Sequence, residues 1–411
     1  MQQSNTTQGR LDSRVTPSVK YDLEISRGSI YGSDDEEALL QAVRAGALSC
    51  GARVKEFEQK FAAYTGVRHA LAVTSATSGL TLAGIAAGVG PGDEVITTPI
   101  SWIATASAFS VLGAKIKFCD IEDRSLNLDP NCLKSLISPK TKAIVPVHLF
   151  GQCCDMNNIN RIAREAGVAV IEDCAHTPGA EYHGKKAGNL GDMGVFSFHQ
   201  QKNMSTLGEG GMITTNSDEF RDRLRSFRSL CCRSYGSNDK YLPIDETLHP
   251  MGKRYWNLMF DDIGYNYRMT DVQAAVGIVQ LAKLDELNER RRTLARKLTD
   301  LLAGIPGLRL PREESGNRHV FHLFVVQLDG GFALSKEDFM WRLWHDFGIK
   351  AWSNYMPIHL THPYRQQGHA EGECPVAEAA FERYVSLPLH PRLSDAAIEY
   401  MASSIRKLAF A

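Results

Sequence analysis

The sequence lacks an excess of charge of either sign. Its 411 residues contain 46 Lys and Arg residues against 47 Asp and Glu residues, so the formal net charge at pH 7 is -1. Proteins that bind nucleic acids or membrane surfaces usually carry a basic surplus. The composition therefore predicts that neither a nucleic acid nor a membrane is a partner of this protein.

Long apolar runs are also missing. The longest weakly polar stretch, residues 79–90, is too short and too rich in glycine and alanine to span a bilayer, which takes about 20 apolar residues. The first ten residues, MQQSNTTQGR, are polar and lack the apolar core of a secretory signal peptide. We therefore expect a cytoplasmic protein.

The cysteines form neither a disulfide pattern nor a zinc pattern. Their number, nine, is odd, no two have Cys-x-x-Cys spacing, and two pairs are adjacent in the sequence. Disulfide frameworks and zinc sites normally need an even set or regularly spaced ligands. We expect most of the thiols to be reduced and buried, and we expect no metal site.

Short apolar runs alternate with helical stretches between about residues 36 and 280. Five runs have the length and composition of buried strands, at residues 69–74, 94–97, 115–120, 143–150 and 168–173. Helical patterns, for example at residues 78–87 and 157–166, separate them. This alternation predicts an α/β fold with a mostly parallel sheet. Two further strands, at residues 195–198 and 212–215, are expected to form a reversed edge of that sheet.

The C-terminal part of the sequence predicts a second, smaller domain. A long helix should begin after Thr270, because Thr270 and Gln273 form a capping box, and should end before Gly304. A strand at residues 320–327 and two further helices, capped by Ser335 and Ser394, follow it. We therefore divide the chain into an N-terminal arm (residues 1–35), a large α/β domain (36–285) and a small α+β domain (286–411).

Small and hydroxyl-bearing side chains follow the first predicted strand, at Ser75, Ala76, Thr77 and Ser78. In a parallel sheet, ligands bind where the carboxyl ends of strands lead into helix N-termini. A helix that starts there offers free N–H groups to an anion. An ordinary N-cap uses the same residue types, so both interpretations stay open at this point.

Three more candidate residues follow or lie within apolar strands. Trp102 follows the second strand, where its ring would either stack on a flat ligand or pack in the core. His148 lies within an apolar run, which favours a hydrogen-bonded core histidine over a catalyst. Asp173 emerges directly from the fifth strand, where a buried carboxylate needs a partner. That partner is either a protonated heterocyclic nitrogen or a structural ion pair.

The segment around Lys202 carries the most specific pattern in the chain. Lys202 lies in Ser-Phe-His-x-x-Lys and is followed by Gly-Glu-Gly-Gly at residues 208–211. Lysine is rarely buried, yet a lysine whose pKa is lowered forms Schiff bases with carbonyl compounds. The complete pattern is far more specific than a lone lysine, and it favours a catalytic lysine over a solvated one.

Together these motifs resemble the DegT/DnrJ/EryC1/StrS family of pyridoxal-phosphate aminotransferases, which act on keto-sugars and keto-cyclitols. The resemblance covers roughly residues 45–400 in family order and includes segments 54–66 (VKEFEQKFAAYTG), 75–77, 91–95, 99–105 (PISWIAT), 146–151 (PVHLFG), 172–176 (EDCAH), 197–211, 264–275 (GYNYRMTDVQAA), 355–359, 374–378 and 386–388. It implies a type I pyridoxal-phosphate transferase fold, like that of aspartate aminotransferase. The large domain would bind pyridoxal 5'-phosphate or its pyridoxamine form.

The resemblance also assigns roles to the residues around the cofactor ring. It identifies Lys202 as the lysine that joins the cofactor as a Schiff base and then carries a proton between the cofactor and the substrate carbon. Asp173 matches the acid that pairs with the pyridine nitrogen and keeps the ring an electron sink. Trp102 matches the residue stacked on the ring. His176 matches a position that supports either the O3' side of the cofactor or Asp173.

The same resemblance implies a phosphate site built from two subunits. Ser75, Ala76, Thr77 and Ser197 match the residues that hold the phosphate, and Ala76 stands where many members have glycine. Asn266 matches a residue that the second subunit contributes. A homodimer with a shared active site is therefore expected.

The resemblance suggests substrate contacts with less specificity. Arg268 would hold a carboxylate or phosphate through paired hydrogen bonds, or it would anchor its loop through a salt bridge. Tyr355 and His359 match positions near the substrate. The segment 229–263 is long and aromatic, and Lys253, Arg254, Tyr255 and Trp256 within it would either line the substrate mouth or form a solvated insertion.

The implied activity is transfer of an amino group from an amino acid, glutamine or glutamate, to a keto-cyclitol or keto-sugar. We expect this in aminoglycoside or other antibiotic biosynthesis or in amino-sugar biosynthesis, and segment 229–263 favours a cyclitol. Members that replace the lysine with histidine act as dehydratases, so Lys202 argues for transamination. A pyridoxal-phosphate-dependent nucleotide-sugar dehydratase and a non-catalytic regulatory member remain the alternatives.

Overall fold

The computed structural model describes residues 28–46, 48–233 and 259–410. The helices are α1 (Ser33–Ala45), α2 (Ala52–Thr65), α3 (Ala76–Ala86), α4 (Ala104–Ser110), α5 (Pro130–Leu136), α6 (Met156–Ala166), α7 (Asp218–Arg228), α8 (Asp271–Leu302), α9 (Lys336–Phe347), α10 (His362–Arg365), α11 (Pro375–Phe381) and α12 (Asp395–Ala409). The strands are β1 (His69–Val73), β2 (Glu94–Thr97), β3 (Lys115–Phe118), β4 (Thr141–Val145), β5 (Ala169–Asp173), β6 (Glu181–Tyr182), β7 (Lys185–Lys186), β8 (Met193–Ser197), β9 (Gly211–Thr215), β10 (Cys232–Arg233), β11 (Met259–Phe260), β12 (Leu308–Arg309), β13 (Asn317–Arg318), β14 (Phe324–Leu328) and β15 (Tyr384–Leu387). In this part of the chain, no helix has both the length and the apolar character needed to cross a bilayer.

Seven strands form the central sheet, in the order β1-β9-β8-β5-β4-β2-β3. The pairs β5–β8, β4–β5, β2–β4 and β2–β3 are parallel, whereas β9 is antiparallel to both β1 and β8. The predicted mostly parallel α/β sheet is therefore confirmed. The predicted reversed edge is wrong, because only β9 is reversed and it lies inside the sheet between β1 and β8.

Both faces of the sheet are covered, which is why its strands have long apolar runs rather than alternating polarity. Neighbouring residues on a strand point to opposite faces. Val195 accordingly belongs to the core formed with α3, α4 and α7. Phe196 belongs to the core formed with α2, α6 and α8, where its ring lies 4.9 Å from that of Phe61. Packing on both faces therefore fixes the positions of the strand ends, where a ligand of a parallel sheet binds.

The long predicted helix is confirmed as α8. The Thr270 side chain accepts a hydrogen bond from Gln273 N, and the Gln273 side chain accepts one from Thr270 N, which completes the capping box. The C-terminal half of α8 packs in a separate apolar core with α9, α12 and the antiparallel sheet β12-β14-β15. The predicted boundary between residues 285 and 286 falls within this helix. Ser335 and Ser394 cap α9 and α12, as the sequence predicts.

The nine cysteines carry free thiols in the structure, and six of them are buried. Cys153 and Cys154 lie in the apolar core on one face of the sheet together with Cys119 and Cys174. The expectation of reduced, mostly buried thiols is therefore confirmed.

Candidate active site

A cavity of about 1170 Å³ opens at the carboxyl ends of β1, β2, β5 and β8. These are the strand ends at which a parallel sheet places its ligands. Nine residues that the sequence singles out line this cavity: Ser75, Ala76, Thr77, Trp102, Asp173, His176, Ser197, Lys202 and Tyr355. Residues separated by more than 250 positions in the chain thus share one site.

The N-terminus of α3 forms one wall of the cavity. The Ser75 hydroxyl accepts a hydrogen bond from Ser78 N, and the Ser78 hydroxyl accepts one from Ser75 N. This is an N-cap, as one interpretation of the sequence holds. The cap leaves the N–H groups of Ala76 and Thr77 without intrahelical acceptors, so these groups are free to donate hydrogen bonds to an anion.

Gly211 makes the close approach at this wall possible. A Cβ atom at Gly211 would lie 2.6 Å from the Ser75 carbonyl carbon and 2.8 Å from Ala76 N. Both atoms belong to the backbone and cannot move aside as a flexible side chain would. The reversed strand β9 therefore lies against the start of α3 only because its first residue has no side chain.

Asp173 lies at the end of β5, where it is 4% exposed. Thr105 donates a 2.7 Å hydrogen bond to its Oδ2 atom, and Ala175 N donates one of 3.0 Å to its Oδ1 atom. Burial raises the pKa of this carboxyl group, while the two hydrogen bonds and the charge of Lys202 oppose that shift. The carboxylate is thus held in place and is best stabilised by a cation in the cavity.

Lys202 lies in the loop between β8 and β9, where its backbone N–H donates to His199 O. The side chain faces the cavity and is partly exposed. Burial lowers the pKa of the Lys202 ammonium to about 8, and the nearby Asp173 carboxylate partly offsets this shift. At pH 7 roughly a tenth of the amine is then unprotonated, far more than in an ordinary lysine, and this is the form in which a nucleophilic lysine reacts.

His176 and Tyr355 close the side of the cavity next to Asp173. The Tyr355 hydroxyl lies 3.3 Å from His176 Nε2, and Phe150 N donates a hydrogen bond to His176 Nδ1. Burial keeps the pKa of His176 well below its ordinary value, so the ring is neutral. His176 can therefore orient a group by hydrogen bonding but brings no positive charge to the site.

Trp102 presents its ring to the cavity. The side chain is 62% exposed, and its ring meets Tyr355 edge-on with the centroids 6.1 Å apart. An aromatic face this open is available for stacking on a flat ligand.

A buried polar cluster lies below the site. His148 Nε2 and Glu172 Oε2 are 2.8 Å apart, and His148 Nδ1 accepts a hydrogen bond from Cys154 N. Since Nδ1 accepts, Nε2 carries the proton and donates a hydrogen bond to Glu172. Glu172 also accepts hydrogen bonds from the backbone N–H groups of Gly188, Leu190 and Gly191. His148 is thus the hydrogen-bonded core histidine that the sequence predicts.

Three predicted site residues lie elsewhere. Asn266 is exposed, and Arg268 forms a backbone bridge to Val73. His359 is fully buried, with Nε2 2.8 Å from Glu378 Oε1. Within the described chain the structure does not bring any of the three to the cavity. Residues 253–256 of the predicted substrate segment lie outside the described residues.

Several residues in the cavity or next to it were missed by the sequence analysis. Thr105 ends the segment PISWIAT, and Asn203 directly follows Lys202, so both lie inside motifs whose other members were singled out. His322 stacks on His176, and its position on the segment before β14 gives no signal in the sequence. Ser29 and Tyr31 line the cavity from the predicted N-terminal arm.

Comparison with known proteins identifies the family. Residues 30–406 match the sequence profile of the DegT/DnrJ/EryC1/StrS aminotransferase family. The chain belongs to this family. It is a pyridoxal-phosphate-dependent aminotransferase, as its resemblance to the family implies.

One curated relative of this aminotransferase is the GDP-perosamine synthase of Caulobacter vibrioides (strain ATCC 19089 / CIP 103742 / CB 15), which is 38% identical over 359 residues. The match covers 87% of this chain and 90% of the relative. A solved structure of DesV from S. venezuelae, in complex with a ketimine intermediate, superposes with a TM-score of 0.82 at 32% identity and covers 92% of this chain and 95% of DesV. The PMP-form of Spr1654 from Streptococcus pneumoniae gives a TM-score of 0.85 at 25% identity, and the match covers 95% of this chain and 98% of Spr1654.

The residues at the cavity fit the cofactor. A buried carboxyl group that favours a neighbouring cation suits a protonated pyridine nitrogen, and the free N–H groups at the start of α3 suit a phosphate. Gly211 keeps that helix start clear of side-chain atoms. Lys202 supplies an amine with a lowered pKa, and Trp102 supplies an open aromatic face.

Proposed function

We propose that this protein transfers an amino group from an amino acid, glutamate or glutamine, to the carbonyl carbon of a keto-sugar or keto-cyclitol. The observation that carries the proposal is the position of Lys202 and Asp173 on one cavity. The cofactor would be held there by Asp173 at its ring nitrogen and by the N-terminus of α3 at its phosphate. When bound, pyridoxal phosphate supplies an electron sink for charge that develops on the substrate carbon.

The proton transfers of the reaction fall to Lys202 in this proposal. Its Nζ atom exchanges protons readily near neutral pH, because burial brings its pKa to about 8. General acid–base groups work best when their pKa lies near the working pH. Asp173 keeps its position through Thr105 and Ala175 N, so it can hold the positive charge of the ring nitrogen in place.

The outer part of the cavity supports an acceptor that is polar and carries negative charge. Lys350, Trp352 and Arg392 line it there, and Lys350 Nζ lies 5.4 Å from the centre of the Trp352 ring. One cation over an exposed ring and a second cation, Arg392, on the same cavity suit the phosphates and the ring of a nucleotide-linked keto-sugar. The name of the relative GDP-perosamine synthase agrees with such an acceptor. A free keto-cyclitol remains the second candidate, because segment 229–263 favours it.

The setting of the reaction follows from the acceptor. A nucleotide-linked keto-sugar would place the protein in amino-sugar biosynthesis, and a keto-cyclitol would place it in aminoglycoside or other antibiotic biosynthesis. We further propose a homodimer in which Asn266 of one subunit completes the phosphate site of the other, in the cytoplasm. The exposure of Asn266 and its place outside the cavity of its own chain support that arrangement.

The acceptor is tested with nitrogen-labelled donors. Purified protein loaded with pyridoxal phosphate is incubated with ¹⁵N-glutamate or amide- and amine-labelled glutamine and with panels of nucleotide-linked keto-sugars and of free inososes. Mass spectrometry should show the label in one product class with every hydroxyl group retained. Loss of a hydroxyl group would favour the dehydratase alternative, and no labelled product from either panel would reject the proposed acceptor class.

A further inference from the structure

Asn203, the residue after Lys202, anchors the lysine loop in the core. Its side chain is fully buried, and its amide nitrogen donates hydrogen bonds to Asn288 Oδ1 at 2.9 Å and to the Val320 carbonyl at 3.1 Å. Asn288 is fixed in turn, because its own amide nitrogen donates to the Pro178 carbonyl. Both N–H groups of the Asn203 amide therefore have acceptors, and these two hydrogen bonds fix the position of its Oδ1 atom.

The Asn203 oxygen points at His322. The distance from His322 Nδ1 to Asn203 Oδ1 is 3.1 Å, and both side chains are buried. An amide oxygen can only accept, so Nδ1 of His322 carries the proton and donates the hydrogen bond. This hydrogen bond joins the lysine loop to the segment that precedes β14.

The His322 ring continues the connection to the other side of the cavity. It stacks on the ring of His176, with centroids 4.2 Å apart and planes inclined by 27°. His176 accepts a hydrogen bond from Phe150 N at Nδ1, so its proton is on Nε2, facing the Tyr355 hydroxyl. A continuous series of contacts thus runs from Asn203, the residue after Lys202, through His322 and His176 to Tyr355.

Burial keeps both rings neutral. Burial, with the positive charges of Lys202 and Arg291 nearby, holds the pKa of His322 well below its ordinary value. Arg291 Nη1 also donates to the carbonyl of Phe321, the residue before His322. The assigned tautomers therefore persist across the neutral pH range.

We propose that Asn203 and His322 are positioning residues for Lys202: the hydrogen bond from His322 Nδ1 to Asn203 Oδ1 fixes the backbone of the lysine loop relative to His176. Neither side chain lines the cavity, so both act through their neighbours. The inference rests on Lys202 as the cofactor lysine and not on the identity of the acceptor. A test of cofactor capture therefore separates it from the proposed substrate.

Two substitutions at His322 separate the hydrogen bond from the stacking. His322→Phe keeps a ring against His176 but removes the donor to Asn203. His322→Asn removes the ring but places an amide N–H near the position of Nδ1. His319→Phe is the matched control, because His319 is a second buried imidazole only three residues from His322. Its Nδ1 atom accepts a hydrogen bond from Phe321 N, and its ring stacks on Phe321 and not on His176.

The main readout is the rate at which cofactor-free protein captures pyridoxal phosphate, followed by the visible absorbance of the bound cofactor. Hydrogen exchange of residues 199–206 in the cofactor-free protein gives an independent readout. A misplaced reacting group costs up to about 100-fold in rate. His322→Phe should slow capture by about 10- to 100-fold and speed exchange in the loop, whereas His322→Asn and His319→Phe should stay within about threefold of the wild type.

Each outcome decides the proposal. Capture by His322→Phe at the wild-type rate would overturn it, and so would His322→Asn as slow as His322→Phe, because restoring the donor would then fail to restore capture. If the Phe variant does not fold, ¹⁵N spectra of the wild-type imidazoles still decide, since the proposal requires a proton on Nδ1 of His322 and on Nε2 of His176. The opposite tautomer at His322 would reject it. A wild type that captures no cofactor would instead reject the proposed function.

Discussion

The Thr105 hydroxyl donates a 2.7 Å hydrogen bond to Asp173 Oδ2, across 68 residues of sequence. The same hydroxyl lies 2.8 Å from Ser101 Oγ, so a short chain of hydroxyl groups ends on the carboxylate. All three side chains are buried. Since the carboxylate would hold the ring nitrogen of the cofactor, Thr105 sets both its orientation and part of its acidity.

Removal of this hydroxyl group should weaken cofactor binding. Thr105→Val keeps the shape of the side chain but takes away the donor, so the pKa of Asp173 should rise further, and less of it should be ionised to pair with the pyridine nitrogen. A hydrogen bond to a charged group contributes about 1.5–3 kcal/mol, which corresponds to a loss of about tenfold or more in affinity. Absorbance titration of cofactor-free protein measures this loss. Thr105→Ser restores the donor, and an affinity as low as that of the Val variant would contradict the account.

The reactivity of Lys202 should titrate well below that of an ordinary lysine. Burial disfavours the charged ammonium and lowers its pKa from 10.5 to about 8. In cofactor-free protein, acylation of Lys202 by an amine reagent should therefore rise through pH 8 and level off above it, as peptide mass spectrometry can measure. Asp173→Asn removes the charge that favours the ammonium, so the midpoint should move to lower pH. A rise only above about pH 10 would contradict this prediction.

Gly211 should not tolerate a side chain. In Gly211→Ala the new Cβ atom would lie 2.6 Å from the Ser75 carbonyl carbon, so either β9 or the start of α3 must shift. Overpacking of this kind costs about 1–3 kcal/mol, and we expect reduced thermal stability together with at least about tenfold weaker binding of pyridoxal phosphate. Gly90→Ala is the control, because a Cβ atom there meets nothing within 4 Å. Wild-type affinity in Gly211→Ala would argue against the phosphate site at α3.

Asn266 provides a test of the proposed shared active site. If its partner's site needs it, Asn266→Ala and Lys202→Ala should each be inactive alone, yet should complement each other when mixed or co-expressed. A mixed dimer then has one site with both changes and one intact site, so about a quarter of the wild-type activity should return. No recovery from a mixture shown to exchange subunits would contradict the shared site.

The local pattern of the sequence predicts most elements of the fold but not their arrangement. Apolar runs locate the strands within a few residues, and the capping box at Thr270 locates the start of α8. The position of β9 could not be predicted, because its apolar character suits an interior strand and an edge strand of this sheet equally well. Only its pairing with both β1 and β8 distinguishes the two.

In the candidate site, too, local motifs could be predicted from the sequence, whereas contacts between distant residues could not. Residues within specific local motifs, such as Lys202 and Asp173, could be identified from the sequence. His322 could not be, because its role depends on a contact with His176 across 146 residues and on a hydrogen bond to Asn203. His359 illustrates the reverse case, since its motif suggests a substrate contact but the folded chain pairs it with Glu378 inside the protein.

The measurement that tests the central claim most directly is the first half of the reaction, followed without any acceptor. Protein loaded with pyridoxal phosphate is mixed with glutamate or glutamine, and the visible absorbance of the bound cofactor is recorded. We predict that the band disappears, that 2-oxoglutarate restores it after glutamate, and that Lys202→Ala shows neither change. A band that no amino acid alters, or a Lys202→Ala variant that responds like the wild type, would contradict the account.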